Sequence, residues 1–200
     1  MDCYTDFNLS YIENFLSAEE ANALFDCIYE QWDWKKDEVI KMEDGSYSYP
    51  CLRKLMFVHP NLVNNDLFHQ SHGNRMEWSE LLLDLKYKVE QEAGVEFSVC
   101  VCIFYENGTQ SMGYHYDPPA FGPTDIIASV SLGATRNFVL RLKSNHDKVY
   151  QIAMKSGSML IMGKGCQDQY EHAVPEMPDQ KEPRFNLTFR QFKWPDGRVG

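Results

Sequence analysis

Three side chains of this 200-residue chain have the type and spacing to hold one metal ion. His115 and Asp117 form an H-x-D pair in the stretch Gly113-Tyr-His-Tyr-Asp-Pro-Pro119. Residues two apart on an extended chain project to the same side, so an imidazole and a carboxylate can grip one ion. His172, in Tyr170-Glu-His-Ala-Val-Pro175, supplies a third donor from a later strand. Two imidazoles and one carboxylate on one side of an octahedron leave the opposite positions open, the facial triad of non-haem iron(II) oxygenases. Zinc accepts the same donors but more often fills a tetrahedral site. An H-x-D pair alone arises often by chance. The other four of the six histidines, His59, His69, His72 and His146, show no ligand pattern. His69 and His72, three apart in a polar segment, read as surface residues.

The segment Pro183-Arg-Phe-Asn-Leu-Thr-Phe-Arg190 adds a second signal. Arg184, Asn186, Thr188 and Arg190 alternate with Phe185, Leu187 and Phe189, so a strand here has one apolar face and one carrying two guanidiniums and an amide. Two inward arginines are costly unless they meet anions. A dicarboxylate supplies two, and the guanidinium fork suits carboxylates. The competing interpretation is an exposed strand face whose arginines pair with surface glutamates.

The elements that must position these residues are legible around them. Ser17-Ala-Glu-Glu20 is a capping box, followed by the amphipathic stripe Ala21, Leu24, Phe25, Ile28 and Trp32. Trp78, Leu81, Leu82, Leu85 and Val89 predict a second helix ending at Gly94. Between them, Val39–Met42 and Tyr47–Val58 flank an Asp44-Gly45 turn and predict a hairpin. From residue 95 onward, short strands are expected at 97–105, 126–132, 138–142, 149–154, 158–162 and 186–192, punctuated by turn residues. Regular short strands suggest a sandwich or jelly roll. The length suits one domain, and the net charge of −10 opposes generic binding to a phosphate backbone. None of the six cysteines forms a CxxC pair, which predicts buried, reduced thiols. The polar N-terminus lacks a secretory apolar stretch, and no run reaches membrane-span length. A soluble, monomeric, intracellular protein of the cytoplasm or nucleus is expected.

On these residues the chain resembles the AlkB family of iron(II)/2-oxoglutarate dioxygenases over residues 48 to 192. The anchors are His115 and Asp117, the distal His172, and the R-x-N-x-x-x-R pattern of Arg184, Asn186 and Arg190. Tyr105 with Asn107-Gly108, the run Ile127–Gly133 with Arg136 and Phe138, and Gly157–Met162 also match, as do Pro50, Arg53-Lys54 and Trp78. The resemblance implies an α+β fold, a double-stranded β-helix (jelly roll) with N-terminal helices buttressing one sheet. It implies a single domain over 1–200, with 1–95 as a helical and hairpin extension and substrate lid, and 96–193 as the jelly-roll core. Iron(II), 2-oxoglutarate and O2 are the implied cofactors. Arg184, assisted by the hydroxyl of Tyr105, would pair with the distal carboxylate, while Asn186 and Arg190 lie near the chelating end. The implied reaction couples decarboxylation to succinate with oxidation of a substrate C–H bond, and demethylates when that carbon bears a nitrogen. Alkylated nucleic acid is the implied partner, met by Arg53, Tyr116, Phe121 and Arg136.

Three features depart from the nucleobase-demethylating pattern. Ile103 stands two residues before Tyr105 where those members carry Asn. Pro118 and Pro119 follow Asp117 where they carry acidic residues. The net charge is a poor match for gripping a duplex. None touches the triad or the arginines. A small-molecule or protein side-chain hydroxylase on the same scaffold is therefore the alternative. A non-catalytic binding module is a third possibility, opposed by the intact ligands and arginines.

Overall fold

Strands with alternating faces need cover on both sides, and the computed structural model supplies it with helices on one side of a large sheet and a smaller sheet on the other. The structure describes residues 2–4, 8–36, 38–42, 44–48, 50–64, 66 and 70–200, with the side chains of 2–4 and 70 left aside. In chain order the elements are β1 (Asp2–Tyr4), β2 (Leu9–Ile12), α1 (Ala18–Gln31), β3 (Ile40–Lys41), β4 (Tyr47–Ser48), β5 (Arg53–Val58), β6 (Asn74–Glu77) and α2 (Glu80–Ala93). They continue with β7 (Val99–Tyr105), β8 (Met112–His115), β9 (Ile127–Gly133), β10 (Arg136–Leu142), β11 (Asn145–Met154), β12 (Met159–Met162), α3 (Cys166–Gln169), β13 (Tyr170–Val174) and β14 (Arg184–Arg190).

The major sheet runs β1-β2-β12-β9-β14-β7-β5-β6 and the minor sheet β11-β10-β13-β8. Within each, pairing is antiparallel apart from β5 with β6. This is the expected α+β jelly roll with helices buttressing one sheet. The helices form where the caps and stripes require. Ser17 Oγ accepts from the Glu20 amide at 3.2 Å, and Glu20 returns a bond to the Ser17 amide at 2.9 Å. Helix α2 stops at Gly94, whose φ of +71° closes the last turn without strain.

Strand β14 shows why the sheet is stable although its inner face is polar. Phe185, Leu187 and Phe189 are fully buried against a layer that includes Leu24, Ile28, Leu82, Leu85 and Val89 from both helices. Phe185 is the hub: its ring lies 4.9 Å from each of Phe25, Trp34 and Phe104. A second cluster, with Ile127, Phe138, Leu140, Leu160 and Met162, fills part of the space between the sheets.

Several expectations need correction. The hairpin closes only over Ile40–Lys41 and Tyr47–Ser48, around Gly45 at φ +85°. The chain then leaves it, and Arg53–Val58 becomes an inner strand between β7 and β6, as its unbroken buried run Leu55–Val58 demands. Strands β2 and β6 went unexpected because each is four residues long, and β6 is polar throughout except for Met76. Cys100, Cys102 and Cys166 are the buried thiols foreseen, but Cys51 is exposed and Cys27 half-buried. His69 and the Cys3 side chain lie outside the described residues. His72 is not a simple surface residue: its ring stands edge-on to Phe121 at 5.7 Å.

Because Phe185 joins the helices to the sheet, Phe185→Ala should lower unfolding free energy by about 3–5 kcal/mol in urea titration. Leu81→Ala, at a position 38% exposed, should change it by less than about 0.5 kcal/mol. Equal losses at the two sites would show that the core is not centred on Phe185.

Candidate active site

Register alone brings two of the three candidate ligands together. His115 on β8 and His172 on β13 are direct cross-strand partners, with ring centroids 4.3 Å apart. Asp117 lies just past the end of β8, and its Oδ2 is 3.8 Å from His172 Nε2. One donor atom from each of the three lies within 4.8 Å of the others.

Both imidazoles are held by their surroundings. His115 Nδ1 is 2.8 Å from the carbonyl of Gly113, which can only accept, so Nδ1 is the donor there and Nε2 is the nitrogen left for a ligand. His172 is buried, with Phe138 stacked on it at 5.1 Å. Burial pushes its pKa down to about 4, although Asp117 pulls the other way.

Opposite this cluster, β14 turns Arg184, Asn186, Thr188 and Arg190 inward. Arg184 is 1% exposed and Arg190 5%, so an exposed face with surface partners is ruled out. Arg184 Nε donates to Ser131 Oγ at 2.8 Å and Nη2 to Asn186 Oδ1 at 2.7 Å. Its Nη1 is buried without a hydrogen-bond partner among the described residues. Burial lowers its pKa to about 10, so it stays charged at neutral pH. The Tyr105 ring is 5.3 Å away, and burial raises that phenol. Arg190 instead faces the triad: Nη1 is 3.5 Å from Asp117 Oδ1, and Nη2 donates to the Pro118 carbonyl at 2.7 Å.

Most of these groups border one pocket between the sheets, with Arg184 reaching it through Asn186. Tyr105, His115, Asp117, His172, Asn186 and Arg190 line it, with Val101, Ile103, Met112, Phe138 and Val174 as apolar wall. The two-His, one-Asp cluster lining the pocket, with the buried Arg184 guanidinium behind Asn186 and its Nη1 unpartnered among the described residues, fits a metal together with an anionic chelator.

The match to known proteins agrees with this geometry. Residues 8–190 match the model of the 2OG-Fe(II) oxygenase superfamily. The chain belongs to that superfamily. Iron(II), 2-oxoglutarate and O2 are the cofactors that membership carries. Alpha-ketoglutarate-dependent dioxygenase alkB homolog 3 of Bos taurus is 32% identical over 197 residues, covering 92% of this chain and 65% of the relative. DNA oxidative demethylase ALKBH2 of Arabidopsis thaliana is 26% identical over 213 residues, covering 92% and 66%. The chain thus spans about two thirds of the length of the curated relatives it matches. Among solved structures, that of OsALKBH1 superposes with a TM-score of 0.68 at 17% identity, covering 94% of this chain and all of that one. A prolyl hydroxylase from Trichoplax adhaerens, in complex with a hypoxia inducible factor peptide, gives 0.63 at 12% identity, covering 92% and 82%.

The four residues expected to meet substrate fare differently. Arg136 is 1% exposed and donates to the carbonyls of Asn107, Gln110 and Pro175 at 3.1, 2.7 and 2.8 Å. It ties two loops together and has no reach to a substrate. Arg53 pairs in register with Phe104 and so shares the helix-facing side of the sheet, whereas Lys54, partner of Ile103, shares the pocket side. Tyr116, 51% exposed, turns away from the pocket with Lys143 Nζ 4.0 Å over its ring. Phe121 covers the Arg190 guanidinium at 5.1 Å. Sequence reasoning noted Lys54 only beside Arg53 and not as a substrate residue, and it missed the stacking of Phe138 and the buried Gln167, which accepts from the Asp117 amide at 2.9 Å. The alternation that exposed Arg184 could have found the inward Ser129 and Ser131. A lone glutamine in a four-residue helix gives no such signal.

Arg184→Met should weaken 2-oxoglutarate binding at least about 10-fold by calorimetry, since a charge-assisted hydrogen bond is worth about 1.5–3 kcal/mol. Arg136→Met should leave that affinity near the unaltered value and lower the melting temperature instead. The opposite pattern would reassign the two arginines.

Proposed function

We propose that this chain is an iron(II)- and 2-oxoglutarate-dependent dioxygenase that oxidatively demethylates N-alkylated nucleobases. One observation carries the reading: the His115, Asp117, His172 cluster lines one pocket with Tyr105, Asn186 and Arg190, and the buried guanidinium of Arg184, with no carboxylate partner among the described residues, donates to Asn186 of that lining. In it, the triad holds iron. Arg184 and the Tyr105 hydroxyl take the distal carboxylate of 2-oxoglutarate, and Asn186 fixes the Arg184 fork through Oδ1. Arg190 braces Asp117 and its neighbour Pro118 near the chelating end. The bound metal and co-substrates supply the oxidation of a C–H bond. The protein supplies two positioned imidazoles, a counter-charge for the dicarboxylate and an apolar wall that keeps bulk water from the reacting carbon. When that carbon bears a nitrogen, hydroxylation leads to C–N cleavage and loss of an aldehyde.

The likeness to DNA oxidative demethylases supports a nucleobase as substrate. We take residues 1–95, which include the short hairpin β3–β4 and Lys54 on the pocket side, as the N-terminal extension and substrate lid of one domain spanning 1–200. We also take the protein to act as a monomer inside the cell, in cytoplasm or nucleus. The free thiols at 27, 51, 100, 102 and 166 suit that setting. Among the described residues, no helix is long and apolar enough to cross a membrane.

A second reading, hydroxylation of a small molecule or a protein side chain, is favoured by Pro118 and Pro119. They offer no carboxylate beside the pocket, and the Pro118 carbonyl is already engaged by Arg190. The two separate in one experiment. Iron-loaded protein should convert 2-oxoglutarate to succinate and remove a methyl mass from single-stranded oligonucleotides bearing 1-methyladenine or 3-methylcytosine, with His115→Ala inactive in both. Succinate without methyl loss moves the assignment to the second reading, and no succinate at all sinks the dioxygenase.

A further inference from the structure

Gln167 belongs to none of the family motifs, yet it is 6% exposed and aimed at a residue of the metal cluster. Its Oε1 accepts from the backbone N–H of Asp117 at 2.9 Å, and its Nε2 donates to Sδ of Met162, a pocket-wall residue, at 3.4 Å. Asp117 needs such a partner. Strand β8 ends at His115, and Asp117 appears in no ladder, so its amide would be left unpaired beside a buried pocket. The next residue, Pro118, has no N–H to offer a turn.

The presenting segment is itself held from several sides. Gly165, at φ +83°, opens the four-residue helix α3 that carries Gln167. The preceding turn is braced by Asn8, whose carbonyl accepts from the Gly163 amide at 2.7 Å and whose Nδ2 donates to the Lys164 carbonyl at 2.6 Å. Lys143 Nζ donates to the Gln167 carbonyl at 2.8 Å. A buried carboxamide bonded at both ends, on a backbone anchored at both sides, has one available placement.

We propose that Gln167 is a positioning residue for the iron ligand Asp117. By clamping the Asp117 amide it sets where the carboxylate stands relative to His115 and His172, which the open chain beyond β8 does not. The proposal rests on the metal role given to Asp117 above. Outer partners of metal ligands typically govern affinity by about 10–100-fold, and this one acts through the backbone rather than through the carboxylate.

The test uses the metal-free protein titrated with Mn(II), reading free Mn(II) by electron paramagnetic resonance. Gln167→Met keeps the side-chain shape but replaces the amide acceptor with a weak one, and should loosen Mn(II) by about 10–100-fold with little change in melting temperature. Gln167→Glu keeps an acceptor for the Asp117 amide and should restore most of that affinity. Unchanged affinity in Gln167→Met overturns the positioning role while leaving the metal site intact. Mn(II) binding that is indifferent to His115→Ala in the unaltered protein overturns the metal site, and this role with it. A second measurement needs no variant: in the metal-free wild type, the Asp117 amide should be protected from hydrogen exchange, and a freely exchanging amide defeats the clamp.

Discussion

A guanidinium sealed between two sheets with one N–H unmatched is the constraint around which this molecule is arranged. Arg184 is charged at neutral pH, and its neighbours are Ser131, Asn186, Tyr105 and a second buried cation, Arg136. Among the described residues no carboxylate is in reach to neutralise it. Such a group is expensive to bury alone. The sheet can bear that cost because the same strand presents Phe185, Leu187 and Phe189 to the helices. Period-two alternation lets β14 carry the heaviest core contacts on one face and the least favourable charge on the other. Helices α1 and α2 are thus what make a pre-formed anion site affordable. On the proposed function, a 2-oxoglutarate carboxylate arriving at Arg184 would relieve a desolvation cost that folding has already met, which would couple binding and stability through one side chain.

The metal end obeys a different logic. His115 and His172 are fixed by cross-strand register, which tolerates little drift because a one-residue slip would turn either imidazole out of the pocket. Asp117 lies beyond the ladder, and its place is set by side chains: Gln167 at its amide, Arg190 at its carboxylate and at the carbonyl of Pro118. Arg190 therefore joins the two ends of the site. It sits on the strand that carries Arg184 and touches the loop that carries Asp117, so a shift of either sheet against the other changes both.

The sequence made the fold legible where periodicity is long or punctuated. The capping box at Ser17, the stop at Gly94 and the alternation of β14 each translate directly into observed geometry. It was least legible where pairing is decided by distant partners. The four residues Leu9–Ile12 become a strand only because β12 lies alongside, and Arg53 and Lys54 exchange roles on a register that no local pattern encodes. The same holds in the site. His115, Asp117 and His172 were recognisable by type and spacing, and the anion requirement of Arg184 by its inward position. Arg136 misled because a basic residue near an expected entrance looks like a substrate contact, whereas three loop carbonyls hold both of its terminal nitrogens. Carbonyls carry no sequence signature, so a cation satisfied by backbone cannot be told from a free one before the structure is seen.

That distinction bears on where substrate selectivity resides. The interior of the pocket is closely held: Gly113 fixes His115, Gln167 and Arg190 fix Asp117, and Asn186 bonds Arg184, Ser129 and Thr188. At the rim, Pro118 and Pro119 stiffen the exit from Asp117, and Phe121 lies over Arg190. Lys54 reaches the same face as Ile103, and burial weakens the hold of its ammonium on a proton while Glu38 strengthens it. With net charge −10 across the chain, a long polyanion gains little from the protein's field as a whole. A nucleic-acid substrate would have to be gripped locally, over a few nucleotides, with Lys54 as the cation that register directs to the pocket side. Short or single-stranded targets meet that condition better than an intact duplex, which presents many phosphates to a chain of net negative charge.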